Sequence, residues 1–451
     1  MSYIPHTDAE RQQMLAAIGI ASTDELFESI PTSVQLGRSL SLRGSVDEFT
    51  LVRHMRDLAA KNVNINSHIC FLGAGIYDHF NPSVVGSLAS RGEFLTAYTP
   101  YQPEMSQGIL QAIYEYQTLV CRLTGMDMAN ASMYDAATAL AEAALMSIDI
   151  TRRNAVAVST AVHPHYRQVL RTYIHAAGYT LIEVHYADGA TDLESLKSVL
   201  DKDIACAIVQ HPNFFGCVED IGTFSATCAA NGSLSIVSVD PISLGLLAPP
   251  GDHGVDIVVG EGQALGTPVS FGGPLLGFFA CKLEHQRRFP GRIVGATVDG
   301  EGRRGYTMTL RTREQDIRRE RATSNICSNE ALLALCATIY LCEMGSAGLR
   351  DVAELSLQKA HYAMDCITQI PGVQACFGAR YFKEFAVRLP DGVDISDVNR
   401  ALLGHGILGG YDLHTHYPEL GNALLLCVTE QRTKADIDAF VDALTTVLGK
   451  D

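Results

Sequence analysis

Five short apolar runs, Ala155–Val158, Thr180–Val184, Ala205–Val209, Leu234–Val239 and Val255–Val259, punctuate the middle third of the chain. Helical stretches lie between them: Tyr166–Ala177 before Gly178, Leu193–Leu200, and Phe224–Ala230 before Asn231-Gly232. A continuous apolar run too short for a helix suits a strand buried on both faces. Strands that alternate with helices close through right-handed crossovers, so the pattern predicts an α/β fold with a mostly parallel, doubly covered sheet. Such sheets take ligands at the carboxyl ends of their strands, which directs attention to the residues after each run.

The flanks read differently. Residues 1–60 form a helical N-terminal arm. Ser22-Thr23-Asp24-Glu25 and Ser45-Val46-Asp47-Glu48 both fit a capping box, and Val46, Phe49, Val52, Met55 and Ala59 follow at helical spacing. Residues 61–325 make the large α/β domain, including a helix from Ser106 to Arg122 with Gly125 as its stop. Residues 326–451 make a smaller α/β domain. It comprises a helix from Ser328 to about Met344, strand-like Phe385–Leu389 and Leu424–Val428, and a last helix from Ala435.

Apolar residues at 47 % against 19 % charged exclude a largely disordered chain. No stretch approaches the run of about 18 apolar residues that a membrane span needs, and the net charge of −16 disfavours nucleic acid and anionic lipid as partners. The twelve cysteines are scattered without a CxxC pair, and the N-terminus lacks signal-peptide character. Reduced thiols and a cytoplasmic location are expected.

The common phosphate and nucleophile motifs are missing. GxxxxGK[ST] and GxSxG do not occur, and both starts of GxGxxG, at Gly73-Ala74-Gly75 and Gly260-Glu261-Gly262, lack the third glycine: Asp78 and Leu265 stand there. His163-Pro164-His165 and His414-Thr415-His416 lack zinc spacing and read as loop or surface histidines; no metal is expected.

The segment Leu234–Lys282 is more telling. A buried strand ends in Val239-Asp240-Pro241, the next run leads into Gly260-Glu261-Gly262-Gln263, and a glycine loop, Ser270–Pro274, precedes strand Leu276–Cys281. This is the layout of aspartate-aminotransferase-like pyridoxal-phosphate enzymes, in which the acid keeps the pyridine nitrogen protonated and a lysine forms the imine. Here Gln263 stands where the lysine belongs, and an amide forms no imine. The chain has eight lysines, none between Asp203 and Cys281, and Lys282 lies beyond the glycine loop. Asp240 is equally explained as an acid solvating a strand end.

Longer blocks carry a specific resemblance. They are Phe71–Phe80 (FLGAGIYDHF), Thr99–Glu104 (TPYQPE), Ser106-Gln107-Gly108, Glu115-Tyr116-Gln117, Leu123–Asp127, Asn130–Asp135, Gly260–Pro274 and Arg311–Cys327. Through nearly all its length the chain resembles the N-terminal (alpha) subunit of the glycine cleavage system P-protein, decarboxylating glycine dehydrogenase, in its two-chain form. The resemblance implies the type I pyridoxal-phosphate fold. It implies that the catalytic lysine and the pyridoxal phosphate belong to a second subunit, whose HKT-type turn aligns with Gln263, leaving Asp240 and Gln263 as a degenerate site. Ala136 replaces the glycine of the family's Tyr-Asp-Gly-Ala-Thr run, which weakens phosphate approach further. Glycine would be decarboxylated on the partner's cofactor, and the aminomethyl group passed to the lipoyl arm of the H-protein. The complex would be a heterodimer or a dimer of heterodimers.

Within that frame, Gly272 and Gly273 are candidates to reach the partner's cofactor phosphate through bare N–H groups, against the plainer reading of a tight turn. Tyr98, Thr99, Tyr101, Gln102 and Glu104, stiffened by Pro100 and Pro103, suit substrate positioning, and Tyr77 and His79 are placed in the same pocket. Ten arginines between Arg287 and Arg321 suggest an inter-subunit ion-pair network, with a carboxylate contact as the alternative. Two other readings stay open: a structural or regulatory paralogue that never touches the active site, and an autonomous enzyme using Lys282.

Overall fold

The computed structural model describes residues 5–449, and the chain falls into two compact units, Met1–Val63 and Asn64–Asp451. In the first unit, α1 (Asp8–Ile18) opens on a capping box between Thr7 and Glu10 and stops at left-handed Gly19. α2 (Glu48–Ala59) starts later than the Ser45 box predicts. Asp47 is its cap, because its carboxylate accepts from both the N–H and the hydroxyl of Thr50 at 2.8 Å. Leu15 is the only buried side chain among this unit's described residues, and Phe49, Val52 and Met55 are exposed.

The second unit is built on a seven-stranded sheet. Its strands are β1 (Met128–Ala129), β2 (Ala155–Ser159), β3 (Thr180–Val184), β4 (Ile204–His211), β5 (Leu234–Val239), β6 (Ile257–Glu261) and β7 (Gly277–Cys281), in the order β1-β7-β6-β5-β4-β2-β3. Strands β2 to β6 pair in parallel with their neighbours, and β7 runs antiparallel to both β6 and β1. The strands therefore present their carboxyl ends along one edge, with β7 returning from it.

Period-two alternation divides the core between the two faces. Ala157, Val209, Val237, Val239 and Val258 pack on one side with α3 (Gln107–Thr124) and α8 (Ala331–Ile367). Val156, Val158, Ile208, Ile236 and Val259 pack on the other with α4 (Ala136–Thr151) and α5 (Pro164–Ala176). Short helices α6 (Leu193–Val199) and α7 (Ile221–Asn231) complete the crossovers. The helix expected to end near Met344 instead resumes after one non-helical residue, Gly345 (φ 59°, ψ −172°). Its length and composition would allow a membrane span, yet Ala334, Ala337, Tyr340 and Leu341 are built into the core.

A hairpin, β8 (Ile293–Val298) with β9 (Arg304–Thr309), follows the main sheet. The C-terminal part holds an antiparallel sheet of β10 (Gln374–Ala375), β11 (Glu384–Arg388), β12 (Tyr411–Asp412) and β13 (Ala423–Cys427), ordered β10-β11-β13-β12. Helices α9 (Ile395–Gly404) and α10 (Lys434–Leu448) pack with it.

In the sheet core, Phe279 is fully buried and meets Phe289 edge-on at 5.0 Å. Phe279→Ala is expected to cost about 3–5 kcal/mol, the range for large-to-small core changes. A fall in the urea midpoint at unchanged slope measures it.

Candidate functional site

The carboxyl edge of the sheet collects His163, the cap of α5 just after β2, Asp240 directly after β5, and Gln263 just after β6. The space in front of them is closed by the chain itself. Lys383, only 2 % exposed at the start of β11, sets its ammonium 2.8 Å from the Asp240 carboxylate. The same nitrogen donates to His79 Nε2 at 2.8 Å and lies 3.5 Å from the Tyr77 ring centroid. A lysine has only donors, so His79 accepts at Nε2 and donates from Nδ1 to Glu430 at 2.6 Å. Burial, and then the charge of Lys383, lower the His79 pKa and keep the ring neutral.

The block Phe71–Phe80 threads through this network. Glu384 accepts from Ala74 N at 2.6 Å and from the Tyr77 hydroxyl at 2.8 Å. Gln263 brackets the Tyr77 backbone, accepting from its N–H at 2.9 Å and donating to its carbonyl at 3.1 Å. Asp78 pairs with Arg432 at 2.6 Å. Close approach explains two glycines. A Cβ on Gly73 would lie 2.3 Å from Glu384 Oε1, and one on Gly75 (φ +100°) would lie 3.0 Å from the His163 ring. The His163 ring stacks on Tyr166, donates from Nε2 to the Ala74 carbonyl at 2.8 Å and accepts the His165 N–H at Nδ1. Burial drives its pKa down to about 4, so it is neutral. His163 thus lies in the connection between β2 and α5, as a loop residue, but is buried at the edge rather than on the surface.

The sequence-derived candidates separate into two groups. Tyr77, His79, Asp240 and Gln263 are drawn together into the buried network, so Tyr77 and His79 do not share a pocket with the Tyr98–Glu104 loop as expected. Tyr98, Tyr101, Gln102 and Glu104 are exposed and Thr99 is half-buried. Thr99 and Tyr101 both accept from Arg292, at 3.0 and 3.1 Å. Gly272 and Gly273 lie in an exposed loop with open space around them, and Ser270, Phe271 and Gly272 all have positive φ. The arginine-rich segment makes contacts within the chain: Arg288 pairs with Asp149, Arg303 with Asp299 and Arg311 with Asp316, while Arg313 donates to the Leu310 and Gly291 carbonyls. Lys282 is bound to Gly254 O and Asp256, just ahead of β6 and therefore at the opposite end of the sheet from Asp240. That position removes it as an imine-forming lysine for this edge.

Pyridoxal phosphate does not fit these residues. The acid that would hold the pyridine nitrogen protonated already has a buried cation on it, and the imine position is an amide. The N-terminus of α4, where a phosphate would sit, is taken by carboxylates. Glu261 accepts the Ala136 N–H at 3.1 Å and Asp135 the Thr138 N–H at 2.7 Å. A phosphate brought there would meet like charge.

Comparison with known proteins gives the family and the fold. The family described as "Glycine cleavage system P-protein" matches residues 1–444. The chain belongs to this P-protein family. It is 53 % identical over 448 residues to the "Probable glycine dehydrogenase (decarboxylating) subunit 1" of Moorella thermoacetica, covering 99 % of this chain and 100 % of that protein. The protein of the same name from Desulforamulus reducens is 52 % identical over 447 residues, with 99 % and 100 % coverage. The crystal structure of a glycine decarboxylase (P-protein) of the glycine cleavage system, in inhibitor-bound form, matches with a TM-score of 0.89 at 44 % identity, over 99 % of this chain and 100 % of that one. A Burkholderia pseudomallei sphingosine-1-phosphate lyase, at a TM-score of 0.68, 15 % identity and coverage of 93 % and 95 %, shares the fold alone. The α/β architecture is that of the type I pyridoxal-phosphate enzymes.

In this P-protein family member, Lys383, Glu384 and Arg292 were not singled out from the sequence, and His163 and Glu261 were noted only as part of a histidine pair and of a glycine motif. A signal exists for the first two: Phe382-Lys383-Glu384-Phe385 sets charges at the head of an apolar strand, where lysine is almost never buried unless paired.

Lys383→Met leaves a buried Asp240 carboxylate uncompensated and is expected to destabilise by about 3–5 kcal/mol, with partial recovery on adding Asp240→Asn. Chemical denaturation of the unsubstituted chain and of the two variants measures this. Burial raises Glu142, Glu261 and Glu384 from 4.5 to about 7. Between those values the folded chain holds protons that the unfolded chain has released. Their contribution is therefore complete below pH 4.5 and is lost as pH rises to about 7, by up to about 3 kcal/mol each. The melting temperature is expected to fall from pH 5 to pH 8, and Glu142→Gln to flatten that fall.

Proposed function

We propose that this chain is subunit 1 of a two-chain glycine dehydrogenase (decarboxylating), working in the cytoplasm with a second, lysine-bearing chain that carries pyridoxal phosphate. The observation that carries the reading is the Lys383–Asp240 pair at 2.8 Å beside Gln263: the edge where this fold keeps its cofactor is occupied by the chain's own side chains. The family, and relatives named as subunit 1, support a second chain that works beside this one. Together the two chains release the glycine carboxyl as CO2 and pass the aminomethyl group to the lipoyl arm of an H-protein.

The contribution of this chain lies on its surface. Thr99, Tyr101, Gln102 and Glu104 line the partner's glycine site, with Tyr98 beside them at 84 % exposure. Glycine has no side chain to recognise, so hydrogen bonds to its carboxylate and ammonium must supply selectivity, and hydroxyls on a proline-stiffened loop suit that task. Gly272 and Gly273 extend toward the partner's cofactor phosphate, where bare backbone N–H groups can converge on an anion.

The test is reconstitution with the lysine-bearing chain, read by exchange of labelled CO2 with the glycine carboxyl. Exchange is expected only from the mixture. The isolated chain with pyridoxal phosphate and borohydride is expected to carry no label on Lys282 or Lys383, and a labelled lysine there overturns the reading. Gly272→Val with Gly273→Val is expected to weaken cofactor affinity of the complex about tenfold with assembly intact, the worth of one hydrogen bond to a charged group. Unchanged affinity and exchange in that variant would instead mark the chain as a purely structural subunit.

A further inference from the structure

Arg292 stands between the loop Tyr98–Glu104 and the rest of the fold. It directly precedes β8, and its carbonyl accepts the Ala131 N–H at 2.8 Å, which fixes its backbone beside the end of β1. Its side chain is 8 % exposed. One guanidinium nitrogen donates to Thr99 Oγ1 at 3.0 Å and Ser328 Oγ at 3.2 Å, and the other to the Tyr101 hydroxyl at 3.1 Å and the Cys327 carbonyl at 2.8 Å. Two cations also lie over the Tyr101 ring, the Arg292 guanidinium at 5.6 Å and that of Arg311 at 5.5 Å. The buried Arg292 Nε has no hydrogen-bond partner and faces the Glu314 carboxylate at 4.0 Å.

The far side of this clamp is itself rigid. The N–H groups of Cys327 and Ser328 both donate to the Tyr134 hydroxyl, at 3.1 and 3.3 Å, one residue before the cap of α4. The Glu330 N–H donates to Ser132 Oγ at 2.9 Å. The loop is therefore held, through one planar fork, to a framework anchored in the main sheet. Having accepted from Arg292, the Tyr101 hydroxyl retains its own proton to donate outward, as does Thr99.

We propose that Arg292 is the positioning residue of the two-chain active site: it holds Thr99 and Tyr101 in the orientation in which they meet glycine on the partner. This rests on the reading that the loop lines the partner's site. A guanidinium can do this because its five donors lie in one plane with fixed angles, so two side chains are set relative to each other as well as to the fold. A lysine ammonium has three donors on a flexible stem and cannot hold both hydroxyls at that spacing.

The experiment uses the reconstituted two-chain enzyme and glycine–CO2 exchange, with assembly and melting temperature measured for each variant. Arg292→Met is expected to lower kcat/KM for glycine about 100-fold, the scale of a misplaced reactive geometry. Arg292→Lys should recover less than about tenfold of that, given its poorer fork geometry. Thr99→Val and Tyr101→Phe should each lower kcat/KM, and adding Arg292→Met to the Thr99→Val, Tyr101→Phe double variant should cost little more, because the guanidinium acts through those two hydroxyls. Additive losses overturn the proposal. If Tyr101→Phe and Thr99→Val lower activity while Arg292→Met does not, the proposal falls and the reading of the loop stands. If neither hydroxyl variant changes exchange, the reading of the loop falls and the proposal with it. Should Arg292→Met fail to assemble, Arg292→Gln and Arg292→Lys carry the same cycle with the same outcomes.

Discussion

A carboxylate and an ammonium buried against each other organise the carboxyl edge of this sheet. Removing either ion from water costs several kcal/mol, and only close pairing with well-placed hydrogen bonds offsets that cost. Asp240 and Lys383 meet the condition: the ammonium has the carboxylate, the His79 nitrogen and the Tyr77 ring around it. Since Asp240 directly follows β5 of the main sheet and Lys383 directly precedes β11 of the C-terminal sheet, the pair also couples those two sheets. The surrounding groups are arranged to suit it. His79 is neutral and relays the hydrogen bonding to Glu430, while Glu384 takes the Tyr77 hydroxyl and the Ala74 N–H.

The same edge in a working enzyme of this fold needs a free acid, a lysine and an unoccupied helix N-terminus. Each of the three is absent here for a positive reason. The acid is neutralised by Lys383, the lysine position holds an amide that ties down the Tyr77 backbone, and the first turn of α4 is spent on Glu261 and Asp135. What could be mistaken for the decay of a site is a dense, closely paired polar core. Under the proposed function the chemistry is displaced outward, to the loop whose Thr99 and Tyr101 hydroxyls are held by Arg292.

Much of the architecture was legible before any coordinates. Strand β5 coincides with its apolar run, Leu234–Val239, because a strand buried on both faces is apolar nearly throughout, and β3 coincides with Thr180–Val184 although it is the edge strand, with Thr180 and Glu183 exposed. Gly125 does stop α3 in the left-handed conformation. Boundaries slipped where one side chain decided them, as at Asp47, and where one residue broke a helix without ending it, as at Gly345. The degenerate site was half legible. Asp240 and Gln263 follow from strand order and spacing, yet the shortage of lysine between Asp203 and Cys281 did not mean an edge without lysine.

The sheet, its carboxyl edge, the amide at the imine position and, through long matching blocks, the family can all be read along the chain. Those are local or linear properties: apolar periodicity, residue identity at a spacing, and block order. What fills the edge and what holds the loop depend on the folded chain. Lys383 lies 143 residues from Asp240, and Arg292 lies 193 from Thr99 and 191 from Tyr101. No spacing rule connects such pairs. Their meeting is set by the packing of one sheet against another and by the return of the chain past β7, so the charge balance of the buried network could be read only once the chain was folded.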